Sequence, residues 1–174
     1  FNNTYTALHG PVASANCTQC HYPHKSKLKG LLLEEGNNLC FKCHDENKVV
    51  GYKIHETIED KSCVTCHNPH GGTNKYILQT NTCYECHTNF EENYTYMHGP
   101  AGAGGLCSTC HETHVSTKPS LLTLTGNDLC LNCHNKLDVD KNQAHINIKK
   151  QNCTSCHNPH GSNQPMLLTK STGK

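Results

Sequence analysis

The chain has 174 residues, 34% of them hydrophobic, a share that already includes 14 cysteines; tryptophan is absent and there are only three phenylalanines. So little apolar side-chain surface cannot offset the entropy of ordering a chain of this length, which excludes a core built from side chains alone. Fifteen positive residues, all lysine, against 14 acidic ones leave a formal charge of +1, and no run approaches the roughly 18 apolar residues of a membrane span.

In chain order, the first organised element is a five-residue word, Cys-x-x-Cys-His, at Cys17–Cys20–His21. It recurs at Cys40–Cys43–His44, Cys63–Cys66–His67, Cys83–Cys86–His87, Cys107–Cys110–His111, Cys130–Cys133–His134 and Cys153–Cys156–His157, and it uses every cysteine. This is the attachment signature of haem c. Two thiols add across the vinyl groups of one porphyrin, and the adjacent histidine becomes the proximal iron ligand. A zinc site would not need His after every second Cys. A thioredoxin-like pair would occur once or twice, inside a βαβ pattern absent here. A disulfide framework explains the even cysteine count but not the seven histidines.

Seven covalent haems are therefore expected, one per 25 residues or so, and the porphyrins take the place of the missing core. Folding and attachment should be coupled, as in small metal-binding domains. The expected fold is mostly irregular, with short α and 3-10 helices around the words and little β-structure. Each bis-histidine ferric haem adds about −1, which takes the holoprotein to about −6 and disfavours nucleic acid as a partner.

The words recur within a larger repeat. Odd-numbered words begin at 17, 63, 107 and 153, with spacings of 46, 44 and 46 residues. Each is preceded by a histidine, His9, His55, His98 or His145, and each is followed three residues after its last His by another, His24, His70, His114 or His160. A spacer then leads to the even-numbered word, as in Gly36-Asn37-Asn38-Leu39-Cys40 and Gly126-Asn127-Asp128-Leu129-Cys130. We read residues 1–174 as one multihaem domain with repeats at about 9–54, 55–97, 98–144 and 145–174, the last holding one word.

This pattern resembles the paired-CxxCH multihaem cytochromes c, the class of small tri- and tetrahaem cytochromes and of polymeric cytochrome filaments. The resemblance covers about 9–170 and implies bis-histidine ligation, stacked neighbouring haems and electron transfer. Histidine arithmetic agrees: seven of the 15 are proximal ligands, and eight remain for seven distal positions.

Reach along the chain suggests which distal histidine serves which haem. His9 has up to about 27 Å of chain before Cys17, enough to wrap over the first haem. His24 would have to round the tethered edge of its own porphyrin, so the second haem is the easier target. Down the chain, His9, His55, His98 and His145 are expected at haems 1, 3, 5 and 7, and His24, His70 and His114 at haems 2, 4 and 6. His160 is then either spare or an inter-subunit ligand, with His9 the other terminal histidine able to cross a head-to-tail contact.

The expected function is electron transfer along a line of haems, with no catalytic residues and no enzymatic activity. Full six-coordination leaves no iron position open to a substrate, against a multihaem nitrite or hydroxylamine oxidoreductase. A line suits long distances, so an extracellular conduit polymerising from identical subunits into a filament, or nanowire, is favoured. The alternatives are a periplasmic carrier or a module of a larger cytochrome, and either needs a redox partner or extracellular acceptor. Phe1-Asn2-Asn3 has neither the basic start nor the apolar run of a signal peptide, and the chain reads as exported and already processed.

Overall fold

The computed structural model describes residues 5–50, 55, 61–79, 82–102, 106–148 and 151–170. Regular structure is scarce. Among the described residues there are four short α-helices, α1 (Gly10–Ala13), α2 (Asn38–Phe41), α3 (Asn127–Leu131) and α4 (Lys136–Lys141), and four two-residue strands, β1 (Ala7–Leu8), β2 (Gly71–Gly72), β3 (Tyr96–Met97) and β4 (Gly161–Ser162). The rest is 3-10 turns and irregular chain. No hydrophobic side chain is buried among the described residues, and the only buried polar side chains there are Ser116 and Ser162. Polypeptide alone supplies no core, as the composition requires.

The chain divides into two compact units. The first holds Phe1–Gly51 and His55–Cys86, the second Tyr52–Ile54 and His87–Lys174. The first unit contains an antiparallel pair, β1 on β2, with Ala7 opposite Gly72 and Leu8 opposite Gly71. The second contains the same pair, β3 on β4, with Tyr96 opposite Ser162 and Met97 opposite Gly161. Close approach at this pairing requires glycine: a Cβ on Gly71 would lie 2.6 Å from the Ala7 carbonyl oxygen, and one on Gly161 2.7 Å from the Tyr94 ring.

Around each odd-numbered word the chain folds back on itself. At the first, the Cys20 and His21 N–H groups donate to the Cys17 carbonyl, closing a tight turn, and the chain returns so that His21 bridges Leu32. The same bridge joins His67 to Leu78, His111 to Leu122 and His157 to Leu168. The return turns through left-handed backbone at Leu31, Ile77, Leu121 and Leu167, with φ of 57°, 50°, 54° and 57°. Such a conformation costs a non-glycine residue about 1–3 kcal/mol and persists only where surrounding structure holds it. Here a hydroxyl does so in three copies: Ser26, Ser116 and Ser162 donate to the carbonyls of Leu32, Leu122 and Leu168 and accept from the N–H two residues on. In the second copy, where glycine stands at 72, the Asn74 side chain caps the turn by accepting from Tyr76 and Leu78 N–H.

Candidate haem-binding site

The strained return explains the orientation of the proximal histidines. It aims a carbonyl, that of Gly30, Tyr76, Ser120 or Met166, at the ring nine residues back, and Gly30, Ser120 and Met166 are themselves left-handed. His21 Nδ1 lies 2.7 Å from the Gly30 oxygen, His67 Nδ1 2.9 Å from Tyr76, His111 Nδ1 2.8 Å from Ser120 and His157 Nδ1 2.8 Å from Met166. A carbonyl only accepts, so Nδ1 carries a proton, which leaves Nε2 as the ring nitrogen that could ligate a metal.

Distal histidines are also held by backbone carbonyls, two of them from about 60 residues farther along the chain and His145 from six residues before it. His9 Nδ1 is 3.0 Å from the Pro69 oxygen, His98 Nδ1 2.9 Å from Pro159 and His145 Nδ1 3.2 Å from Val139. The strand pairs carry two distal histidines each: the His9 N–H donates to the His70 carbonyl at 3.2 Å, and the His98 N–H to the His160 carbonyl at 3.1 Å.

These constraints oppose imidazoles in pairs. In the first unit His9 faces His44 with ring centroids 6.0 Å apart and planes at 17°, and His21 faces His70 at 6.1 Å and 10°. In the second, His98 faces His134 at 6.0 Å and 17°, His111 faces His160 at 6.1 Å and 13°, and His145 faces His157 at 6.1 Å and 54°. The spacing fits a metal between the rings. Two metal–imidazole bonds of about 2.0–2.1 Å, plus the inset of each nitrogen from its ring centre, make up 6 Å. Burial holds the His70 and His160 imidazoles below their usual range, with neighbouring histidines (His21 and His9, His111 and His98) acting in the same direction. The neutral form thus favoured is the ligating one.

Ring placement departs from the pairing that reach suggested. His9 lies opposite the second word and not the first, and His98 opposite the sixth and not the fifth. His70 returns to the first word instead of advancing to the fourth. His160 is no spare: it faces His111 and also stacks on Phe90 with centroids 4.5 Å apart. The second and sixth words are thus met by His9 and His98, not by His24 and His114. At the seventh word the opposed residue, His145, is the one that reach selected. His24 is exposed, and no hydrogen bond or ring contact joins it to another described residue.

The cysteines lie in a related order. Burial pushes the Cys40 thiol up to about 11, with Cys63, which shares a hydrogen bond with it, and Cys20 adding to the effect. Cys130 is raised by burial and by Cys153 and Cys110, Cys110 by burial and by Cys133 and Cys107, and Cys66 by burial and by Cys86 and Cys63. Sulfurs of the first, second, third and fourth words thus neighbour one another in turn within the first unit, and those of the fifth, sixth and seventh within the second. None of the fourteen cysteines, all among the described residues, is in a disulfide.

Two asparagines hold this order and went unrecognised in the sequence. Asn37 Oδ1 accepts the Cys63 N–H at 2.9 Å while its Nδ2 donates to the Lys61 carbonyl at 3.1 Å. Asn127 repeats this with the Cys153 N–H and the Gln151 carbonyl, both at 2.9 Å. Each ties the start of the helix carrying an even-numbered word to the next odd-numbered one. The available signal was the recurring Gly-Asn-Asn/Asp-Leu-Cys string.

The family described as the doubled CXXCH motif matches this chain at residues 9–49, 55–92, 98–139 and 145–174. A multiheme cytochrome named MtrA from Shewanella baltica (strain OS185) is 32% identical over 144 residues, which is 71% of this chain and 43% of the relative. The chain therefore spans less than half the length of that relative. Opposed imidazoles at metal-bridging distance, beside paired cysteines in the attachment spacing, agree with both comparisons, and the chain belongs to the doubled CXXCH motif family of multihaem c-type cytochromes.

Proposed function

We propose that the chain holds seven haems c, one at each word, and passes electrons along them in word order within each unit. The observation that carries this reading is the set of five opposed imidazole pairs at 6.0–6.1 Å. Haem iron supplies a ferric–ferrous couple when ligated on both faces by histidine. The cysteine pairs anchor the porphyrins, and the proximal and distal histidines hold the two axial positions with Nε2 while backbone carbonyls fix their tautomers. Neighbouring attachment sulfurs keep successive sites close, as a relay needs. Four matches to a doubled motif, the last ending at 174, accommodate the seven words of the sequence.

With both axial positions taken, such a site transfers electrons and does not bind a substrate, so we read the chain as a conductor and not an enzyme. Intact mass of the holoprotein checks the count, and its resting absorption spectrum checks the ligation. Seven haem additions with purely low-spin bands are expected; fewer additions, or a high-spin band, overturn the reading.

Of its settings, an exported, extracellular conduit assembled from identical subunits suits a serial relay best. No helix of the described residues is long and apolar enough to cross a membrane. The histidine suited to reach a second subunit is His24 and no longer His160, since His24 is exposed in a segment that also carries Lys25, Lys27 and Lys29. Electron microscopy of the concentrated holoprotein tests assembly: filaments support it, and dispersed particles reject it. The 43% coverage of the relative favours a second reading, a module of a longer cytochrome, which the intact mass of the native protein decides.

A further inference from the structure

Among the opposed pairs described above, four have planes within 10–17° of parallel, and His145 and His157 stand at 54°. The difference does not come from the proximal side. His157 is held by the Met166 carbonyl just as His21 and His111, members of near-parallel pairs, are held by Gly30 and Ser120. It comes from His145. The distal rings of His9 and His98 take their Nδ1 partners from the Pro69 and Pro159 carbonyls, in loops that also carry His70 and His160. His145 instead uses the Val139 carbonyl inside α4, six residues before it.

Asn142 sets that arrangement. Its N–H donates to the same Val139 oxygen at 3.2 Å, its carbonyl accepts the His145 N–H at 2.8 Å, and its Oδ1 accepts the Ala144 N–H at 3.0 Å. The residue closes α4 and opens the 3-10 turn Gln143–His145, so one asparagine fixes both the backbone and the hydrogen-bond partner of the ring.

We infer that Asn142 is a positioning residue that twists His145 against His157 and makes the haem of the seventh word electronically distinct from those between near-parallel imidazoles. Imidazole planes that coincide direct their π-donation at one iron d orbital and split it from its partner. Planes set far apart share the donation, leaving the two orbitals closer in energy. In the ferric state the first arrangement gives an ordinary rhombic low-spin signal, and the second a strongly anisotropic one with a large maximal g value. The inference rests on the ligation proposed above.

Low-temperature electron paramagnetic resonance of the fully oxidised holoprotein reads it. A large-g low-spin feature is expected, of which His145→Met removes the contribution of about one haem in the seven words. Asn142→Ala shifts that contribution into the rhombic envelope, and Asn142→Asp, which keeps the acceptor oxygen, retains it. A wild-type spectrum without the feature overturns the inference whatever the variants do, as does a His145→Met loss taken from the rhombic envelope. Failure of the underlying ligation would look different, as high-spin signals in the wild-type protein.

Discussion

Replacing Asn127 by alanine removes the two hydrogen bonds that tie the start of α3 to the seventh word. One is the partly buried Cys153 N–H, which then loses its acceptor; the other is the more exposed Gln151 carbonyl. A net hydrogen bond contributes about 0.5–1.5 kcal/mol, more when a buried partner is left unsatisfied, so the substitution should cost about 2 kcal/mol. For a unit of this size, about 4–8 °C per kcal/mol gives a drop of about 8–16 °C in its midpoint. Soret-region circular dichroism during heating is the assay, because it reports the haem environment and not bulk helix, of which there is little. Asn127→Asp keeps the oxygen that accepts from Cys153 and should lose about half as much. A drop below about 2 °C for the alanine variant, or an aspartate variant as damaged as alanine, would refute the argument that this amide acts as a clamp.

Further outcomes follow from the same geometry. His160→Ala should turn one haem high-spin in the absorption spectrum, while His24→Ala leaves every haem of the isolated subunit low-spin and, if subunits assemble through it, shortens or abolishes filaments. Gly161→Ala drives a methyl to 2.7 Å from the Tyr94 ring and should cost about 1–3 kcal/mol by chemical unfolding, whereas Gly99→Ala, with nothing within 4 Å, should fall within about 0.5 kcal/mol of wild type. Protein produced without haem attachment should show a disordered far-ultraviolet spectrum, since no hydrophobic side chain of the described residues is buried by polypeptide; a cooperative thermal transition in that material would contradict it.

Attachment residues were legible because the chemistry is local: two thiols and one imidazole must meet one porphyrin, and only a fixed spacing lets them. The irregular fold was legible for a related reason, the shortage of apolar side chains. Distal pairing was not. Reach along the chain sets only an upper limit, and it assigns each histidine to the next word along the chain. Pairing of Ala7 and Leu8 with Gly72 and Gly71 overrides it, drawing His9 away from Cys17 and bringing His70 back to His21. These contacts join residues more than 60 positions apart and depend on two glycines whose only sequence trace is the dipeptide after His70. The operative period was also hidden, because among the described residues the strand pairing of the first repeat recurs in the third, two of the 44–46-residue repeats later.

The ladder between β1 and β2 is two residues long, yet His9 leaves one strand as His70 enters the other. Their rings lie opposite His44 and His21, the histidines of two successive words. Under the proposed ligation, the distal ligands of two adjacent sites therefore hang from one clasp. Strain that opens it, from a tug on the preceding segment or a side chain forced in at Gly71, detaches both together. Opening the clasp is thus a failure of two sites at once, and in the second unit His98 and His160 build the same shared weakness on the fifth and sixth words.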